Sequence, residues 1–466
     1  MIKAWQWELE QRRQAVPRIL TEEEQTWDSI FRVRDAEDER IRIYWRSEVP
    51  GSGAPECLVA GAIQSMENRG RRVEEAEALF ADGLKALETG DLATLHRLTS
   101  LILKTLQEAP RDEGSPYWKF HTPTSWEEHI AAVRFPDPVP VSPHTPQFTE
   151  RVYAGWLAQV CGGALGTALE GYTTDRLMEV FGDIRGYVRK PNTFNDDITY
   201  ELAFLKAFEY RGYHVTSQDI AEEWVALIPF GWSAEDIALR NLKLGVYPPE
   251  SGRRSNPFSE WIGAQMRGTV CGLVAPGDPR QAARLAWIDG VISHEGNGVL
   301  GEVFNAVMTS LAFVRGDIRG IVQNAIDLLP PESEYHSVVR EALGVCREAS
   351  DWLAAWRKCE KRLERYNWVH AYPNAAAEVV ALWFGNGDFD ETMRIVALAG
   401  QDVDCNAAQV ATVLGVALGP SALGEHWTKP IGDRLQTYVR GMEELSIAHL
   451  ARWNVDLVRR ALARYD

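Results

Sequence analysis

From about residue 149 onward the sequence reads as one amphipathic or fully apolar helix after another, each laced with small residues at helical spacing. "RVYAGWLAQVCGGALGTAL", "DITYELAFLKAFEYRG", "GEVFNAVMTSLAFV", "NAAAEVVALWFG" and "NAAQVATVLGVALG" all carry Gly and Ala at such positions. Small residues at helical spacing let neighbouring helices approach closely, and strict polar–apolar alternation is absent, so a compact all-α domain is expected. Similarity among the Ala-rich helices does not amount to an internal repeat.

The first 135 residues differ. "VEEAEALFADGLKALETGDLATLHRLTSLILKTLQEA" places Ala76, Leu79, Phe80, Leu84 and Leu87, then Leu92, Leu95, Leu98, Leu101 and Ile102, on helical faces. The central "ETGD" supplies a stop and an Asp N-cap, so a helical hairpin is predicted. This N-terminal region carries no catalytic signature and reads as a packing or partner-binding module, with self-association as one option. Then "FPDPVPVSPHTP" brings Pro136, Pro138, Pro140, Pro143 and Pro146. Proline this dense cannot continue a helix, and 136–148 is expected to be a stiff linker between a 1–135 region and a 149–466 domain.

Charge narrows the function. Asp and Glu number 66 against 49 Lys and Arg, for a net charge of −17, which argues against general nucleic-acid binding. An anionic substrate would need local cations, either Lys/Arg or metal. No apolar run reaches membrane-span length and the start "MIKAWQWELEQRRQAVPR" has no apolar h-region, so a soluble cytoplasmic protein without membrane contact is expected. The six cysteines form no C-x-x-C pair, which points away from zinc and disulfides and towards a reducing compartment.

Two short stretches carry the chemistry. In "FNDDITYELAFL", Asn195, Asp196 and Asp197 directly precede an apolar helix; in "GQDVDCNAAQVATVLG", Asp402 and Asp404 do the same. Each alone is compatible with a helix N-cap, which accepts hydrogen bonds from first-turn amides. The repeated arrangement favours two helix N-termini converging on hard cations, because magnesium and calcium take oxygen ligands. Four Asp without a Cys/His set argue against zinc. A third feature, Glu170 in "GGALGTALEG", closes a helix through which the Gly163–Ala168 stretch allows close backbone approach. "SHEGNGVLGEVFNAV" offers His294, Asn297 and Gly298 as substrate contacts, and an ordinary buried His is the alternative. "PPESGRRSNPFSEWIGAQMRG" offers Arg253, Arg254, Asn256, Trp261, Gln265 and Arg267 as phosphate donors or stacking surface, with a solvated basic loop as the equal alternative.

Taken together, these segments resemble the ADP-ribosylglycohydrolase family over roughly residues 149–420 or more. The resemblance implies a compact orthogonal all-helical bundle with a centre of two Mg²⁺ ions. The family's Thr-Asp-Asp and Asp-x-Asp-Thr/Ser motifs would fall on Asn195-Asp196-Asp197 and Asp402-Val403-Asp404-Cys405. On that basis Asn195, Asp196, Asp197, Asp402, Asp404 and Cys405 are expected metal ligands. Glu170 and Asp197 are the expected catalytic residues, and His294, Asn297, Gly298, Asn256 and Arg267 the expected substrate contacts. Three positions depart from the pattern. Asn195 replaces Thr, Cys405 replaces Thr/Ser, and Gly163 stands where many relatives have Asp. A neutral thiol is a poor ligand for magnesium, so the second metal site is the less secure. The implied reaction is hydrolysis of a ribosyl glycosidic bond on an ADP-ribosylated or ADP-ribose-like substrate. Hydrolysis of a small N-riboside or nucleoside, and catalytically silent ADP-ribose binding, are the alternatives.

Overall fold

The computed structural model describes residues 2–463. Among them are 23 α-helices, and the β content is two ribbons of two-residue strands, 47–48 with 55–56 and 435–436 with 444–445. The all-α expectation holds. The five helices read from small-residue patterns appear as Pro146–Gly166, Asp196–Arg211, Asn297–Ala312, Ala371–Gly385 and Val403–Leu418.

Helix Val403–Leu418 lies directly on Pro146–Gly166, and this pair forms the centre of the domain. The contact is backbone on backbone. A methyl group at Gly162 would stand 2.3 Å from the Ala407 carbonyl oxygen, and one at Gly166 would stand 2.1 Å from Asp404 Cα. Any larger residue at either position would force the helices apart, with the strain expected of an overpacked core. This close packing sets the Asp402–Asp404 turn against the far end of the first helix.

The predicted N-terminal hairpin is present as Glu74–Thr89 and Leu92–Glu108. Gly90 adopts φ 72° at the stop, and Asp91 accepts a hydrogen bond from Thr94 N at 3.1 Å. Helix Asp28–Trp45 docks onto it through Trp45, which stacks on Phe80 and donates to Thr99 Oγ1 at 2.8 Å.

Residues on both sides of the proline-rich stretch share one continuous apolar core. Polar bonds reinforce the contact: Ser65 Oγ to the Pro257 carbonyl at 2.6 Å, Tyr117 Oη to Glu260 at 3.0 Å, and Arg69 to Ser259 and Glu295. The proline stretch itself is pinned where Val139 N donates to the Gly277 carbonyl, 2.9 Å away. Helix Ala4–Gln14, by contrast, buries none of its residues.

Candidate metal centre

Asn195 and Asp402 occupy the N-cap positions of helices Asp196–Arg211 and Val403–Leu418, and neither side chain bonds a first-turn amide. The acidic side chains of the two stretches therefore do more than close the helices. Asp196, Asp197 and Cys405 bring one potential ligand atom each within 4.8 Å of one another, and so do Asp402, Asp404 and Cys405. Cys405 is common to both groups. Asn195 joins them by donating from Nδ2 to Asp404 Oδ2 at 3.4 Å.

Burial makes this grouping expensive. Asp197 is fully buried, and Cys405, Asp402, Asp404 and Asn195 are each under a tenth exposed, while Asp196 is half-buried. Both carboxylate oxygens of Asp197, Oδ1 of Asp402, Oδ1 of Asp404 and Oδ1 of Asn195 have no hydrogen-bond partner. Unpaired buried carboxylates are strongly destabilising unless neutralised. Burial first, and then mutual repulsion, push the carboxyls of Asp197, Asp402 and Glu170 well above the ordinary carboxylate range. Asp196 is raised to about 7 by burial and by Asp404, against the pull of helix N-terminal amides. The Cys405 thiol is pushed up by burial and four surrounding Asp, so it stays protonated beside them. Orphaned oxygens converging from two helix starts fit a hard divalent cation. In the residues present, Asp196, Asp197, Asp402 and Asp404 would hold it, with Asn195 Oδ1 as a neutral oxygen donor.

The supporting residues explain why the chain turns here. Gln401 takes φ 69°, a left-handed conformation costly for a non-glycine residue and often found at functional sites. It is over-determined: Gly171 N donates to the Gln401 carbonyl at 2.8 Å, and Asp402 N donates to Asn374 Oδ1 at 3.0 Å. Asn374 also receives Asn406 Nδ2 at 2.7 Å and donates to the carbonyls of Trp368 and His370. Sequence reading missed Asn374, although it opens "NAAAEVVALWFG", one of the helices read from small residues. The departure at Gly163 has a structural account: a methyl group there would lie 2.8 Å from Asn195 Nδ2, so Asn195 fills the space a larger residue 163 would need.

Glu170 follows helix Pro146–Gly166 in a tight turn, with its amide on the Gly166 carbonyl at 3.0 Å. Its carboxyl is hydrogen-bonded to Asp404, which places it on the same cluster. Tyr438, a second residue missed from sequence, bonds Thr199 and faces Asp196; its ring stacks on exposed Phe230 with centroids 4.6 Å apart.

The five expected substrate contacts are placed differently, as parts of the packed interior. The Arg267 guanidinium is 1% exposed and bound by Asp289, Glu235 and Glu302, with Ser293 Oγ a further acceptor at 3.0 Å. Asn256 spends its amide on the carbonyls of Ala234, Gly252 and Ser293. Asn297 bonds Glu260, Thr122 and the Tyr335 amide. His294 is fully buried beside Ser293 and held neutral by burial. Gly298 packs so closely that a methyl group would sit 2.3 Å from the Ser259 carbonyl oxygen. Most of their polar groups serve internal partners, while His294 Nε2 is buried without a hydrogen-bond partner.

Among the described residues no helix is long and apolar enough to cross a membrane. The ADP-ribosylglycohydrolase family model matches residues 144–460, more than half of the chain and all the residues of the acidic cluster. An uncharacterized protein of Archaeoglobus fulgidus is 23% identical over 293 residues, covering 60% of this chain and 90% of that protein. A solved structure described as an ADP-ribosylglycohydrolase-related protein complex superposes with TM-score 0.50 at 19% identity, over 68% of this chain and 100% of the other, a likeness of fold. The chain belongs to the ADP-ribosylglycohydrolase family.

Proposed function

We propose that this protein is a magnesium-dependent glycohydrolase that cleaves the glycosidic bond of a ribosyl group on an ADP-ribosylated or ADP-ribose-like substrate. The observation that carries the reading is the convergence of four Asp from two helix starts, with orphaned buried oxygens among them. Family membership supports glycosidic hydrolysis in general.

Asp196, Asp197, Asp402 and Asp404 would hold the magnesium, which when bound would supply Lewis-acid chemistry at the ribose. The chain's own residues supply the rest. Glu170, which meets Asp404, would be ionised once bound cations offset the cluster's negative charge, and would then accept a proton from the attacking water. The water oxygen bonds to the anomeric carbon, the glycosidic electron pair leaves with the departing group, and Glu170 passes on to that group the proton it took from the water. The cluster's negative field stabilises the oxocarbenium character that develops as the bond breaks. Half-buried Asp196 and the Tyr438–Phe230 pair mark the side from which a ligand enters.

One observation favours a silent binding role instead. The protonated Cys405 thiol sits at the junction of the two acid groups, where a hard oxygen ligand would serve magnesium better. Incubation with an ADP-ribosylated protein, free ADP-ribose and a simple riboside, each with Mg²⁺, decides between them. Release of the ribosyl group from at least one supports the hydrolase. Calorimetric binding of ADP-ribose with no product from any substrate would replace it with the binding role.

A further inference from the structure

The N-terminal region reaches the acidic cluster. Its short hairpin pairs Ser47–Glu48 with Pro55–Glu56, and Val49 N donates to the Ala54 carbonyl at 2.9 Å across the turn. Val49 and Ala54 are buried, so both ends of the loop are anchored. The loop lies on Thr167, Glu170, Gly171 and Tyr172, just past the end of helix Pro146–Gly166. Gly51 packs so closely that a methyl group would be 2.2 Å from the Thr167 carbonyl oxygen and 2.8 Å from Glu170 Oε1. Ala54 faces Gly171, and a methyl group on Gly171 would be 2.6 Å from Ala54 Cβ. Tyr172 Oη donates to the Ser52 carbonyl at 3.0 Å. Residues 50–54 lie outside the stretch matched by the family model.

We propose that loop 50–54 forms the wall of the ribosyl site beside Glu170, that Gly51 and Tyr172 are specificity-determining positions, and that the wall restricts the site to ribosyl groups carried on small molecules. The inference rests on the ribosyl hydrolase reading and deepens it. A fixed backbone wall against the carboxyl that faces the anomeric carbon leaves no path on that side for the surface of a folded protein. Residue 51 must lack a side chain because the space it would need is already occupied by the Thr167 carbonyl and Glu170. The Tyr172 hydroxyl latches the loop from the domain side. Anchoring at Val49 and Ala54 means that the wall does not depend on ligand for its position.

The test uses the full chain with Mg²⁺ and two substrates, a small ADP-ribosyl guanidine and the same group on a folded protein. Wild type is expected to favour the small compound in kcat/KM by at least about tenfold. Tyr172→Phe releases the Ser52 carbonyl without adding volume, and is expected to narrow that preference severalfold through KM for the protein substrate. Gly51→Ala is expected to lower kcat for both substrates by about tenfold or more, since Glu170 or the loop must shift. Magnesium affinity should hold in both variants, and melting curves verify their fold. Equal use of both substrates by wild type overturns the wall, as does an unchanged preference and kcat in the folded Tyr172→Phe variant, and either result leaves metal-dependent hydrolysis standing. If wild type binds ADP-ribose without turnover, the Gly51→Ala protein is expected to lose about fivefold or more in affinity, and unchanged affinity overturns the proposal. Wild type that neither binds ADP-ribose nor hydrolyses either substrate removes the ribosyl reading and this one with it.

Discussion

Asn195 Nδ2 stands 3.4 Å from Asp404 Oδ2 and ties together two helix starts that lie 209 residues apart in the chain. The amide thereby orients one carboxylate of the second acid pair while leaving its own carbonyl oxygen unpartnered towards the cluster. Asn195→Ala removes both contributions. Magnesium affinity should fall by about tenfold or more, in the range seen when groups that orient metal ligands are lost. Calorimetric titration measures it, and an unchanged dissociation constant would show that Asn195 only packs against Gly163.

Cys405 belongs to both acid groups and carries a protonated thiol. Replacing it with a hydroxyl of similar size supplies the harder oxygen that magnesium prefers. Cys405→Ser should therefore tighten magnesium binding, and Cys405→Ala should not. If the two variants bind the ion equally, residue 405 has no part in holding it.

Asp197 is the most deeply buried acid of the cluster, with both oxygens unpartnered. Asp197→Asn removes that charge at nearly constant volume. The metal-free protein should then melt at a higher temperature than metal-free wild type, because the cost of burying an ionisable acid among other acids is relieved. The rise in Tm that saturating Mg²⁺ gives wild type, worth about 2.7 kcal/mol at a hundred times Kd, should shrink or vanish. Thermal melts with and without chelator test both halves. A variant that is less stable without metal and equally stabilised by it would contradict the assignment.

Arg267 shows how a binding motif and a structural one can look alike. Its guanidinium is enclosed by three acids spread over positions 235, 289 and 302. Arg267→Gln leaves those acids uncompensated and should cost about 3–5 kcal/mol of folding stability. Denaturant melts give the value. A normally stable variant with raised KM would restore Arg267 to the substrate site.

His129 is fully buried, stacked on Trp126, with neither ring nitrogen partnered, and burial pushes it down from 6.5 to about 4. The folded protein binds fewer protons here than the unfolded chain between those two values. This histidine's contribution is thus intact above pH 6.5 and is lost as pH falls towards 4, at up to ~1.4 kcal/mol per pH unit. Buried acids such as Glu201, raised to about 8, act in the opposite direction at higher pH, so the comparison needs a variant. His129→Phe should be stabilised relative to wild type as pH drops through this window. Parallel stability curves for the two proteins would show that His129 is not held neutral.

The fold was legible because helix signals are local. The small-residue periodicity, the Gly90 stop and the Asp91 cap all lie within a few residues of what they determine. The acid pairs were visible for the same reason, each being a short cluster at one helix start. Asn374, Tyr438 and Gly51 were not, because their roles arise only when distant segments meet: Asn374 supports residue 402, Tyr438 faces residue 196, and Gly51 sits on residue 170. The internal bonding of Asn256, Asn297 and Arg267 and the burial of His294 were hidden for a matching reason. A large helical domain with many irregular connections buries polar side chains to satisfy its own backbone and charges, and in sequence such residues look the same as ligand contacts.

The central claim is that the four Asp form a divalent-cation centre that hydrolyses a ribosyl bond. Its most direct measurement is the rate of ribosyl release by wild type and Asp402→Asn, after exhaustive chelation and again after adding Mg²⁺ back. The account predicts that chelation abolishes wild-type release, that Mg²⁺ restores it, and that Asp402→Asn stays inactive in both conditions while keeping its fold. Release that survives chelation, or that Asp402→Asn retains in full, would contradict it.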